Sequence, residues 1–226
     1  MRQNNKLFAT DGNIVGIVDS TNARSLASKL KPAAVDFLEW RADCFPSVTL
    51  PPRVQVPWIL TVRHPFEGGQ GSLDTKTRRQ IFHRLMDQAA AVDVETRSLR
   101  PLRDVVEAAH ASRVTVIASS HHFKNTPTTN ALREIEKKSR DLGADIVKIA
   151  SRTETPGDVA RLLGLLDKAS GPLSIMGMGA LGMASRVLFA SCGSVLNYGW
   201  LDRPNVPGQW SARELKSVLT KLKEPL

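Results

Sequence analysis

Eight short apolar runs, spread along the whole chain, limit the folds open to this sequence more than any other feature. They are NIVGIV (13–18), AVDFLEW (34–40), WILTVR (58–63), VDVE (92–95), VTVIAS (114–119), DIVKIA (145–150), PLSIMG (172–177) and SVLNY (194–198). Such near-continuous apolarity is what parallel strands covered on both faces require. Segments with helical periodicity lie between most of them, at about 21–31, 75–90, 101–111, 129–142, 156–169, 183–191 and 211–223. Pro156 and Gly171 bracket one of these helices, proline near its start and glycine past its end. The link after the second run, with Pro46, Pro51, Pro52 and Pro57, carries the weakest helical signal.

Eight strand–helix units in 226 residues predict an α/β fold, a (β/α)8 TIM barrel forming a single domain over 1–226, in preference to a doubly wound open sheet. KLFATDGNIVGIV adds an N-terminal β-hairpin about Asp11-Gly12 that would close the barrel bottom. With 42% hydrophobic residues the chain has ample material for a core.

The formal charge of +9 raises the question of nucleic acid. Its densest basic stretches, TKTRR and EKKSR, fall within helical patterns, and 5% aromatic residues are too few for a base-stacking platform. The expectation is therefore no nucleic acid and an attraction for a small anionic substrate. No run approaches the roughly 20 apolar residues of a membrane span, and the start, MRQNNKLFATDGNIVG, lacks a secretory apolar region. A cytoplasmic protein with no membrane partner is expected. Cys44 and Cys192 lack CxxC spacing and read as reduced thiols, while His64, His83 and His110 are scattered, so no metal site is predicted. GMGALG (177–182) satisfies GxGxxG, but one strand alone follows it. Glycines after the seventh strand of a barrel suit an anion site better than a dinucleotide site.

A barrel gathers its active site at the C-terminal ends of the strands. Glu39 and Arg41 close the second run, Arg63 the third and Glu95 the fourth. His121 follows the fifth, Lys148 lies on the sixth, Arg186 follows the seventh and Gln209 lies beyond the eighth. A preference of charge for water explains any one of these and explains the set poorly. Lys148 is the sharpest: alternation puts Ile146, Lys148 and Ala150 on one face and Val147 and Ile149 on the other, so neither face is a polar surface. Burial disfavours an ammonium and favours a nucleophilic amine.

DFLEWRADCF (36–45), TVRHPFEGG (61–69), DVE (93–95), SSHHF (119–123), GADIVKIA (143–150), MGALGMASR (178–186), GSVLNYG (193–199) and VPGQ (206–209), in this order and spacing, resemble the type I 3-dehydroquinate dehydratases of the shikimate pathway. That resemblance implies a (β/α)8 barrel, usually a homodimer, that converts 3-dehydroquinate to 3-dehydroshikimate in aromatic amino acid biosynthesis through a covalent imine, with no metal or organic cofactor. Carried over by motif, Lys148 forms the imine, His121 transfers the proton and Glu67 orients that histidine. Glu39, Arg41 and Arg63 resemble the residues that hold substrate hydroxyls, Arg186 the carboxylate clamp, and Asn205 and Gln209 belong to the lid. Glu95 reads as a supporting carboxylate. His122 stands where the family usually has aspartate, which makes two adjacent histidines candidates, and the register favours His121. Asn205 stands where serine is common, and a weaker lid is expected.

The chemistry needs these residue types. An iminium is a better electron sink than a ketone, and Lys148 must attack as a neutral amine, a state expected from barrel burial and from nearby Arg63 or Arg186. An imidazole can take the C2 proton and return it to the departing C1 hydroxyl, provided that a carboxylate fixes its tautomer. The planar fork of arginine matches a carboxylate. Two other readings compete: a different Schiff-base, aldolase-like barrel enzyme, and a catalytically impaired barrel with a binding role.

Overall fold

The computed structural model describes residues 12–19, 23, 34–45, 51 and 55–223. The helix expected over 21–31 and the hairpin about Asp11-Gly12 lie, in whole or in large part, outside them. Eight strands are present: β1 (Asn13–Val18), β2 (Phe37–Arg41), β3 (Trp58–Thr61), β4 (Ala91–Glu95), β5 (Thr115–His122), β6 (Ile146–Arg152), β7 (Leu173–Met178) and β8 (Leu196–Trp200). Among the described residues six helices follow or separate them: α1 (Thr75–Leu85), α2 (Arg103–Ala111), α3 (Thr129–Asp141), α4 (Pro156–Asp167), α5 (Gly182–Ser191) and α6 (Ala212–Lys223).

The strands pair in parallel in the order β7-β6-β5-β4-β3-β2-β1-β8. The seam between the two ends is bridged by the Val195 N–H to Leu173 O at 3.0 Å and by two serine hydroxyls. Ser174 Oγ donates to Leu196 O at 2.5 Å, and Ser194 Oγ accepts from the Ile175 N–H at 3.0 Å. The result is a nearly closed (β/α)8 barrel. Among the described residues no helix is long and apolar enough to cross a membrane.

Local chemistry accounts for the helix starts. Asp74 caps α1 through the Thr77 N–H at 2.7 Å. Thr155 and Asp158 form a reciprocal capping box on α4, with Pro156 in its first turn as the sequence predicts. Two runs extend further than their apolarity suggests. β5 continues through His121 and His122, and β6 through Arg152, because parallel pairing from Ile117–Ile146 to His122–Ser151 overrides side-chain polarity there.

Period-2 alternation then sorts every strand. Outward residues pack under the helices, Leu60, Val92 and Val94 with Phe82 of α1 and Val105 of α2, and Val147, Ile149 and Ile175 with Leu162 of α4 and Phe189 of α5. Phe82 and Phe189 are fully buried, and truncating either to alanine should cost about 3–5 kcal/mol. Inward residues form an apolar floor of Phe37, Ile59, Ala91, Ile117, Ile146 and Leu196. One step further along each strand the interior turns ionic, with Glu39, Asp93 and Lys148 all at most 3% exposed.

Candidate active site

Above the apolar floor lies a cavity of about 310 Å³ at the C-terminal ends of the strands. Glu39, Arg41, Arg63, Glu67, His121, Lys148, Arg186, Asn205 and Gln209 all line it. The nine residues singled out in the sequence thus share one cavity. Their partners decide what each can do.

Lys148 projects inward from the middle of β6 and is 2% exposed. Its Nζ donates to Glu39 Oε1 at 3.0 Å and Asp93 Oδ2 at 2.9 Å, and it sits 3.8 Å from the centroid of the Tyr198 ring. The expectation that arginines crowd the amine needs correction: its direct ionic partners are carboxylates. Arg63 grips the same carboxylates from the other side. Its Nη1 and Nη2 reach Asp93 at 2.9 and 3.1 Å, Nη1 reaches Glu95 Oε1 at 3.3 Å, and Nη2 lies 3.5 Å from Glu39. Charges therefore alternate through the layer. Burial works against the Asp93 carboxylate, but the charges of Arg63 and then Lys148 outweigh it and hold the group well below the usual carboxylate range. Behind this layer Arg78 from α1 donates to Glu95 Oε2 at 2.5 Å, so Glu95 is a supporting carboxylate shared by two buried arginines.

His121 lies one pleat beyond Ser119 on the inward face of β5. Its Nδ1 is 3.0 Å from Glu67 Oε2, and its backbone N–H donates to the same oxygen at 3.1 Å. Burial first, then the positive charges of Arg63 and Lys148, hold the imidazole well below 6.5, so the ring is neutral at neutral pH. With Glu67 ionised, Nδ1–H donates to Oε2 and Nε2 remains as the basic nitrogen. Burial and the nearby Glu95 charge push the Glu67 carboxyl up to about 7. His122 alternates to the other side of the strand. Its Nε2 meets Ser120 Oγ at 2.9 Å, and the ring lines an outer cavity of about 500 Å³ that Glu67 and His121 also line. The pleat thus separates the two adjacent histidines: His121 shares the inner cavity with Lys148 of the neighbouring strand, and His122 does not.

Arg186, on α5, is 3% exposed and held by backbone carbonyls, Nε to Gly177 O at 2.9 Å and Nη1 to Tyr198 O at 2.8 Å. Among the described residues no carboxylate lies within ion-pair distance, and burial lowers it to about 10. Two of its five N–H donors are used and three remain. Its approach depends on Gly177, where a Cβ would collide with Ser185 Oγ and Thr153 Oγ1. Gly182 makes room for the backbone of Gly208, and Gly179, at φ +81°, sits where a Cβ would meet Glu154 Oε1. Close packing, with a left-handed backbone at Gly179, accounts for all three glycines. Arg41 forms a bidentate pair with Asp43, at 2.9 and 2.8 Å, and donates to Gly68 O at 3.1 Å. Asn205 turns its amide to Asp19 Oδ2 at 3.0 Å, and its N–H donates to Gln209 Oε1 at 3.0 Å.

The family model for type I 3-dehydroquinase matches residues 15–225. The chain belongs to that family. A 3-dehydroquinate dehydratase from Thermococcus gammatolerans is 34% identical over 212 residues, covering 92% of this chain and 98% of its own. One from Salmonella agona is 32% identical over 223 residues, covering 89% and 88%. The crystal structure of the Aquifex aeolicus 3-dehydroquinate dehydratase superimposes with a TM-score of 0.82 at 28% identity, covering 93% of this chain and 99% of that one. The expected barrel and hydro-lyase class both stand. Within this type I 3-dehydroquinase, sequence reasoning passed over Asp93, Tyr198 and Asp19. Asp93 was open to discovery, since the alternation that turns Glu95 inward turns Asp93 inward too.

Proposed function

We propose that this chain is a 3-dehydroquinate dehydratase that works through an imine on Lys148, and that the nine residues above carry the reaction. The observation that carries the reading is the meeting, around one cavity, of a buried amine, a carboxylate-oriented imidazole and an arginine without an acidic partner. The substrate carboxylate takes the three unused donors of Arg186, which places the C3 ketone toward Lys148. Glu39 accepts the ammonium proton, and the free amine adds to C3. The carbinolamine loses water to give the iminium, its hydroxyl leaving with the proton returned by Glu39.

His121 Nε2 then takes a C2 proton, and the electron pair flows into the iminium to give an enamine. The enamine expels the C1 hydroxyl, which leaves as water with the proton from His121. Hydrolysis of the conjugated iminium releases 3-dehydroshikimate and the amine. Glu67 stabilises the imidazolium formed between the two proton transfers, and Arg63, Arg41 and Gln209 bound the substrate hydroxyls. These side chains move every proton and electron pair the reaction needs. Family membership supports a place in the shikimate pathway and a homodimer, the latter checked by sedimentation.

Borohydride with 3-dehydroquinate should add the mass of the reduced substrate to Lys148, and enone ultraviolet absorbance should grow in wild type and not in Lys148→Ala. Absence of the adduct would defeat the reading. Adducts with short keto acids and no enone would favour an aldolase-like enzyme instead.

A further inference from the structure

We propose that Asp19 and Asn205 form a latch that holds the 201–211 segment over the cavity, making both of them positioning residues. The proposal deepens the reading above and rests on it for its kinetic part.

The segment between β8 and α6 crosses the barrel mouth. Its later half is fastened by main chain and indole: Gly179 N–H to Pro207 O at 3.1 Å, Trp200 N–H to Trp210 O at 3.1 Å, Trp200 Nε1 to Gln209 O at 3.2 Å and Trp210 Nε1 to Met183 O at 2.8 Å. Gly208 at φ +76° fits against Gly179 and Gly182, where a Cβ would clash. The earlier half is tied by Asn205. One side-chain donor goes to Asp19 Oδ2, just past the end of β1, the strand paired with β8, while the backbone N–H fixes Gln209 Oε1. Asp19, Asn205 and Gln209 all line the cavity.

The test is a reversal of polarity. Asn205→Asp sets two carboxylates against each other and should raise KM about tenfold, with kcat changed less than about threefold. Hydrogen exchange at the 201–209 amides should accelerate in the same variant. Asn205→Asp combined with Asp19→Asn rebuilds the bond with donor and acceptor exchanged, and should bring KM and exchange back to within about threefold of wild type. Unchanged KM and exchange in Asn205→Asp, or a double variant as impaired as the single one, overturns the latch. Exchange is read without substrate. A wild-type protein that fails to dehydrate 3-dehydroquinate therefore defeats the catalytic reading alone, and the exchange data still decide the latch.

Discussion

The two walls of the cavity use buried arginine in opposite ways. On the wall built from β2 to β5, Arg63 is gripped by Asp93 and Glu95 and faces Glu39. On the wall built from β6 to β8, Arg186 is equally buried but rests on two peptide carbonyls, among Met176, Met178 and Tyr198. Arg63 has its charge balanced by carboxylates. Arg186, among the described residues, has no such partner. A buried cation without a counter-ion is costly, and an anionic ligand removes that cost, so the carboxylate-poor wall is where a substrate anion gains most. The carboxylate-rich wall instead fixes Lys148.

Lys148 belongs to both walls, and Lys148→Ala should have the largest effect. Turnover of 3-dehydroquinate should fall on the order of 10⁴-fold, with the fold intact by circular dichroism. Breaking the contrast between the arginines comes next. Arg63→Ala takes one of two cations from each of Asp93 and Glu95, leaving Lys148 and Arg78, and should lower stability by about 3 kcal/mol in urea unfolding. Arg186→Ala should raise KM about a hundredfold while costing less stability, since it leaves carbonyls rather than charges unpaired. Equal losses of stability in the two variants would erase the distinction.

A smaller effect distinguishes the His121–Glu67 pair by pH. Glu67 titrates at about 7 in the folded protein, above its ordinary 4.5. The folded state therefore holds this proton more tightly, and the contribution to stability is full below about 4.5 and lost as pH rises through about 7. Activity has the opposite sign. kcat/KM should climb through about pH 7 as Glu67 ionises and can stabilise the His121 imidazolium. In Glu67→Gln that limb should vanish, with a drop of about tenfold or more at its plateau. The smallest effect sharpens the pleat argument: His122→Ala should change kcat less than about twofold, whereas His121→Ala should lose on the order of 10²-fold or more.

Much of this molecule was legible before folding. Eight apolar runs specified the barrel, and alternation in DIVKIA, DVE and SSHH specified which side chains turn inward, because the pleat makes that choice locally. The GxGxxG glycines show the limit of such reading. Their requirement comes from Ser185, Thr153, Glu154 and Gly208, none of which the pattern contains.

Partnership was decided by tertiary structure. Asp93 meets Lys148 across 55 residues and Glu39 meets it across 109, and no spacing along the chain encodes those contacts. The sequence alone determined the face of each strand. Barrel closure determined which faces meet and at what height, and with that it surrounded the lysine with carboxylates, left Arg186 without one and carried Asn205 to Asp19. The physical reason is one of range: steric and hydrogen-bonding rules within a strand act over a few residues, while the charge on a buried group is set by whatever the closed sheet brings within a few ångströms.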